Sequence, residues 1–257
     1  MNLFLLIFLV TLALLFYSKS TFGSKISQKV YVVSFAHDCC KEAQKNLEKT
    51  AKFYGADAVY SLNLDTLKAP IYLKEYLYTT KRGAGYWIWK SYAIKQIMEI
   101  SNPDDIIIYV DSSTYFNKSM KNIINFINKN DILCFKHSGN EAQSKWTKMN
   151  AVKYFGYNSN WCETGGKEVQ IMGAFVGVKN NNLGNLIVEK WINTMKNTDL
   201  VDDSPSNDNC NDFVESRHDQ QILSLILYKT GIIFPVYNKE LYGWVWHEPI
   251  NGKNRHL

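Results

Sequence analysis

Ile106-Ile-Ile-Tyr-Val110 is an unbroken apolar run that ends in an acid, Asp111. A strand with one wet face alternates apolar and polar residues, so a strand apolar at every position must be covered on both faces, as in a parallel sheet packed between helices. The residues before it fit. Ala93, Ile94, Ile97 and Met98 share one helical face over 90–100, and Asn102-Pro-Asp-Asp105 supplies the turn into the strand. The same reading predicts a strand at 30–35, a helix at 42–54 and a strand at 58–62. Downstream it predicts a helix at 120–128, a strand at 132–136, a short helix at 147–155 and a strand at 169–178. Helices at 183–195 and 220–228 and a last strand at 232–236 complete it. Alternating units of this kind predict an α/β fold, a mostly parallel mixed sheet flanked by helices in one domain after an apolar amino terminus. The acidic, Asn-rich segment 199–212, broken by Pro205, reads as a mobile loop.

Residues 3–17 are apolar apart from Thr11, long for a signal-peptide core and short for a membrane span of about 20 residues. Ser18 and Ser20 offer a cleavable pair, whereas Lys19, Lys25 and Lys29 would flank an uncleaved anchor. The expectation is therefore 1–28 as a signal anchor or signal peptide with a short stem, and 29–257 as the folded domain. That makes a single-pass membrane protein, its domain in the endomembrane lumen (ER or Golgi), or a secreted one if the segment is cleaved. Cations after the segment argue for cytoplasmic retention and leave the orientation open. The formal charge of +5 is spread without a basic run, so no nucleic-acid partner is expected. Five cysteines are too few for a disulfide scaffold. Cys162 and Cys210, in two loop-rich regions, could pair in an oxidising compartment, and idle thiols are the other account.

In an open α/β sheet, ligands sit outside the carboxyl ends of the strands, which singles out Asp111. Arg82-Gly-Ala-Gly-Tyr-Trp-Ile-Trp-Lys90 joins two cations to a glycine-loosened backbone and three aromatics. Arg82 offers a planar fork to phosphate oxygens and Lys90 a point charge, while Gly83 and Gly85 would let backbone N–H groups approach an anion. Against this, Arg82 can be a solvated surface charge, Lys90 a helix opener, and Trp87 and Trp89 core residues. Asp219 begins an apolar helix, where it could act as a general base or orient a substrate. Ser216 and Asp219 also have the spacing of a capping box, which needs no chemistry.

These blocks, with Tyr109-Val-Asp111, Gln170-Ile-Met-Gly-Ala-Phe-Val-Gly177 and Arg217-His-Asp-Gln-Gln-Ile-Leu-Ser224, stand in an order that resembles a poorly characterised group of GT-A-type glycosyltransferases in the nucleotide-diphospho-sugar transferase superfamily. The likeness covers residues 29–240. Two positions depart from it, with Ser91 where that group tends to have proline and Ser112-Ser113 in place of its usual small pair; the fuller Asp-x-Asp is absent. The resemblance implies a nucleotide-diphospho-sugar donor, a carbohydrate or glycoconjugate acceptor, and a divalent metal, Mn2+ or Mg2+, beside the diphosphate. Carried onto this chain, Arg82, Gly83, Gly85, Tyr86, Trp87, Lys90, Asp111, Ser112 and Ser113 would bind the donor. Gln170, Gly173 and Gln220 would line the acceptor or sugar pocket, Asp219 and His218 would be catalytic, and Asp111 and a late histidine, His247, would hold the metal. Two rivals stand beside this reading: a sugar-nucleotide or glycan-binding protein of the same fold without turnover, and a hydrolase or phosphotransferase built on His37, Asp38, Cys39 and Cys40.

Overall fold

The computed structural model describes residues 27–246 apart from 38–39, 81 and 140. Its centre is a five-stranded sheet of β1 (Val30–Phe35), β2 (Ala58–Leu62), β3 (Ile106–Val110), β5 (Ile132–Leu133) and β6 (Phe175–Lys179), in the order β2-β1-β3-β6-β5. β1 runs parallel to β2 and β3, and β6 runs antiparallel to β3 and β5, so the sheet is mixed with one reversed strand. A small second sheet pairs β4 (Thr114–Phe116) with β7 (Trp244–Trp246).

The expected two-sided burial is present. Along β1 and β3, Tyr31, Val33, Phe35, Ile107 and Tyr109 enter one core cluster, and Val30, Val32, Ile106, Ile108 and Val110 enter another. Helices α1 (Lys41–Tyr54) and α4 (Lys121–Asn130) supply the second cluster through Leu47, Ala51, Ile123 and Ile127. Helices α3 (Trp89–Met98), α7 (Asn182–Met195) and α8 (His218–Tyr228) supply the first, and α2 (Ile71–Thr79) lies over its edge through Leu73 and Leu77. The pleat thus assigns Ile107, Tyr109 and, next in phase, Asp111 to the face covered by α3 and α8.

Three expectations are corrected. Residues 232–236 form no strand; Val236 makes one isolated bridge to Lys136, because Pro235 lacks an N–H for a ladder. The segment expected to be a mobile loop is pinned. Lys148, 1% exposed, puts its ammonium 2.6 Å from the Asp199 carbonyl, 3.1 Å from Asp202 Oδ1 and 3.0 Å from Ser204 Oγ. Finally, the single-pass expectation is left without support: no helix among the described residues is long and apolar enough to cross a membrane, and residues 3–17 lie outside the described residues.

Cys162 and Cys210 are joined in a disulfide that closes 48 residues and fastens the same loop to the 3-10 turn Trp161–Glu163. Constraining the unfolded chain over such a span contributes about 2–4 kcal/mol. Cys210→Ser should lower the unfolding free energy by that amount in urea, and dithiothreitol should produce the same shift in the unsubstituted chain. A loss below about 1 kcal/mol would mean that Lys148 alone holds the loop.

Candidate functional site

The site begins with a backbone anomaly. Gly83, Ala84, Gly85, Tyr86 and Trp87 all have positive φ, between 43° and 84°, forming one turn of left-handed helix just before α3. Left-handed geometry costs a non-glycine residue about 1–2 kcal/mol, so Ala84, Tyr86 and Trp87 must be held there by their surroundings. Tyr86 N donates to Arg82 O, Trp87 N to Gly83 O, and the Trp89 indole N–H to Gly83 O at 3.0 Å. The glycines are required by space as well. A Cβ on Gly83 would run into the Trp87 ring, and one on Gly85 would sit 2.6 Å from Leu77 Cδ2.

The turn aims α3 so that Lys90 points at the end of β3. Its Nζ lies 3.0 Å from Asp219 Oδ2, 3.5 Å from Asp111 Oδ1 and 3.0 Å from the carbonyl of Gly173. The Lys90 and Asp219 side chains are each 5% exposed, and that of Asp111 is 23% exposed. Burial would lower the Lys90 pKa, but Asp111 and Asp219 outweigh it and hold the ammonium charged. Burial raises the Asp219 carboxyl to about 6, with Lys90 opposing the shift and Asp111 adding to it. The Lys90 ammonium lies within hydrogen-bond reach of Asp219 Oδ2, and that contact opposes the effect of burial on the carboxyl. Tyr109 donates its hydroxyl to Asp111 Oδ1 at 2.6 Å, and burial followed by that carboxylate pushes its phenol well above the ordinary range.

Gly173 lets these groups meet. A Cβ there would lie 2.8 Å from Asp219 Oδ2 and 3.5 Å from Lys90 Nζ. Gln220 fixes the approach, accepting from Gly173 N at 2.9 Å and donating to Gln170 Oε1 at 2.5 Å. Lys90, Asp111, Gln170, Gly173, Asp219 and Gln220 are therefore one cluster, assembled from four separate stretches of chain. Ser112 and Ser113 form the turn between β3 and β4, closed by Thr114 N and Oγ1 donating to Asp111 O.

Other candidates lie elsewhere. The Arg82 guanidinium pairs with Asp203 on the pinned loop at 3.2 Å and with Glu215 just beyond it at 3.1 Å, all of them nearly half exposed. His218 is buried with its ring near those of Tyr86 and Trp87, and its Nδ1 is 2.6 Å from Val201 O. Because a carbonyl only accepts, Nδ1 carries the hydrogen and Nε2 the lone pair. Burial depresses its pKa, so it is neutral at neutral pH. Ser216 Oγ accepts from His218 N at 3.2 Å, but Arg217 stands at the N-cap of α8 and no side chain caps it, so the capping box does not form and Asp219 turns to Lys90. Trp89 is core, stacked on Phe35 at 4.2 Å. His247 lies outside the described residues, as do Asp38 and Cys39.

A cavity of about 210 Å³ opens beyond β1 and β2, lined by Ala36, His37, Lys41, Asn63, Leu64, Asp65 and Tyr78. Sequence reading missed Asn63, Asp65 and Tyr78; the available signal was that Asn63 and Asp65 directly follow a strand. The order β2-β1-β3-β6-β5 now lays out one edge of the sheet. The cavity sits at β2 and β1, Asp111 at β3, Gly173 just before the reversed β6, and His137 after β5.

A divalent metal fits this edge only in a sparse form. Among the described residues no three His, Cys, Asp or Glu side chains converge. Asp111 has Oδ1 engaged and Oδ2 left for a cation, which suffices for an ion that takes one or two carboxylates and completes its shell with phosphate oxygens and water.

No protein-family model and no curated protein matches the chain. Among solved structures, the chain is similar to a glycosyltransferase involved in glycosylation of the PBCV-1 major capsid, with 13% identity, a TM-score of 0.43, and 82% of this chain and 83% of that one covered. Mouse xyloside xylosyltransferase 1 gives 10%, 0.41, 82% and 85%. The bifunctional glycosyltransferase WbbM gives 9%, 0.48, 85% and 40%. Such values fix neither a family nor a reaction.

Proposed function

We propose that residues 29–257 are a glycosyltransferase domain of GT-A-like fold that moves a sugar from a nucleotide-diphosphate donor to a carbohydrate or glycoconjugate acceptor. One observation carries this reading: the Asp111–Lys90–Asp219 cluster stands at the carboxyl edge of the sheet, one strand away from the open cavity at β1 and β2. The nucleoside lies in the cavity, its diphosphate runs towards Asp111, and the sugar comes to rest by Asp219 and Gly173.

In the transfer, an acceptor hydroxyl oxygen bonds to the anomeric carbon, the bond from that carbon to the diphosphate breaks, and its electron pair leaves on the phosphate oxygen. Magnesium or manganese at Asp111 would supply positive charge beside that oxygen. Asp219, whose carboxyl burial raises to about 6, takes the hydroxyl proton, and Lys90 holds both carboxylates in place. Arg82 exchanges Asp203 and Glu215 for phosphate oxygens, which costs little because exposed ion pairs are worth about 0–1 kcal/mol. Ser112, Ser113 and the turn 83–87 border the donor.

The experiment is a panel of nucleotide sugars with manganese, read as release of nucleoside diphosphate. The wild-type chain should turn over at least one donor, and Asp111→Asn should be slower by about 10²–10³-fold while remaining folded by circular dichroism at the assay temperature. Release from no donor, or full activity in Asp111→Asn, would refute the reading.

A further inference from the structure

Next to Gln170 and Gln220 the chain assembles a second polar group, His137, Glu141, Trp146 and Arg217. Backbone bonds hold it to the reacting cluster: His137 N donates to Gln170 O, Gln170 N to Glu141 O, and Arg217 N to Trp146 O. The Arg217 guanidinium carbon lies over the Trp146 ring, 4.0 Å from its centroid. Its nearest carboxylate, Glu141, is 4.0 Å away, whereas Arg82 has two at 3.1–3.2 Å. Arg217 is about a third exposed, and its Nε and the Trp146 indole nitrogen have no hydrogen-bond partner. His137 is tied to Gln220 by a side-chain hydrogen bond, and burial lowers its pKa, which leaves the ring neutral. The guanidinium is the group's exposed source of N–H donors.

Position says what such a group can serve. The cavity assigned to the nucleoside is at β1 and β2, Asp111 is at β3, and this group lies past Gly173 on the β6–β5 side. A ligand held here reaches Asp219 from the side away from the cavity.

We propose that Arg217, held over the Trp146 ring, with His137 beside it, is an acceptor subsite that recognises an acidic group, a carboxylate or a phosphate, on the accepting sugar. This rests on the glycosyl-transfer reading above. The guanidinium fork matches either anion with two parallel hydrogen bonds, and an arginine held over a ring loses little freedom in forming them. Glu141, too far for a close pair, sets the fork's orientation without filling it.

Calorimetric titration of the whole chain with glucose, glucuronate and glucose 6-phosphate tests this without any need for turnover. At least one acidic sugar should bind about tenfold or more tightly than glucose. That preference should vanish in Arg217→Gln and survive only in part in Arg217→Lys, which keeps the charge but loses the fork. Preference for glucuronate alone or for glucose 6-phosphate alone identifies which anion the site takes. Equal binding of all three by the wild type, or a preference unaffected by Arg217→Gln, overturns the proposal. If donors turn over while the three sugars bind alike, the subsite is wrong and the transferase stands; if acidic sugars bind through Arg217 and no donor turns over, the anion site stands and the transfer reading falls.

Discussion

Lys90→Met is expected to cost the fold about 3–5 kcal/mol and to abolish donor turnover. The methionine fills most of the lysine's space, so the loss is electrostatic: two carboxylates, one of them 5% exposed, are left facing each other without their cation. Removing one partner of a buried ion pair is far more damaging than removing both, because the remaining charge has no solvent to repay it. In a chain of this length each kcal/mol lowers the melting temperature by about 2–4 °C, so a fall of roughly 6–20 °C should appear in a calorimetric scan at neutral pH. The loss should depend on pH in a definite direction. Asp219 already has a folded-state pKa of about 6, above its unfolded 3.8, and removal of Lys90 raises it further. Stability from such a group is fully present below the unfolded value and is lost as pH rises through the folded one, so the variant should melt lower at pH 8 than at pH 5. Adding Asp219→Asn to Lys90→Met should recover part of the loss, since the two sites are in contact and their effects cannot add. A single variant that melts like the wild type at pH 8 would show that the two acids do not depend on this ammonium.

Much of the frame was legible because it is local. The two-sided apolar run of β3, the faces of α1 and α3 and the strand phase that puts Asp111 under α3 all follow from periods of 2 and 3.6 residues. What could not be read depends on distant partners. Ala84, Tyr86 and Trp87 adopt positive φ where Leu77 and Tyr76 pack on Gly85 and the Trp89 indole N–H ties down Gly83 O, and no propensity predicts left-handed tryptophan. The composition of 199–212 suggests mobility, yet Lys148, some fifty residues earlier, clamps the loop, and Cys162 bonds to it. Strands β4 and β7 are three residues each and separated by about half the chain, too short to leave a periodic signal. Arg82 and Lys90 were alike on paper as cations flanking a glycine turn. Burial separates them, with Lys90 locked between carboxylates and Arg82 in exposed pairs that a ligand can displace.

The second large effect concerns Asp219. Asp219→Asn should reduce transfer by about 10²–10⁴-fold while leaving donor affinity within a few-fold, because an amide of the same shape cannot take a proton from the attacking hydroxyl. The pH profile separates this from a purely structural role. In the wild type the acid limb of kcat should have a midpoint near 6, with activity rising as the carboxyl ionises. That midpoint belongs to Lys90, Asp111 and Asp219 as a coupled group. In Asp219→Asn the residual activity should lose this limb and become flat between pH 5 and 7. Stability should move the other way from the lysine variant: removal of a carboxyl that burial disfavours relieves a penalty, while the Lys90 ammonium keeps Asp111 and the Gly173 carbonyl as partners. A melting temperature near or slightly above that of the wild type at pH 8, together with a slow and pH-flat reaction, is therefore the signature of a proton acceptor. A variant that retains the limb near 6 would transfer the base role elsewhere and leave Asp219 as the anchor that keeps Lys90 in place.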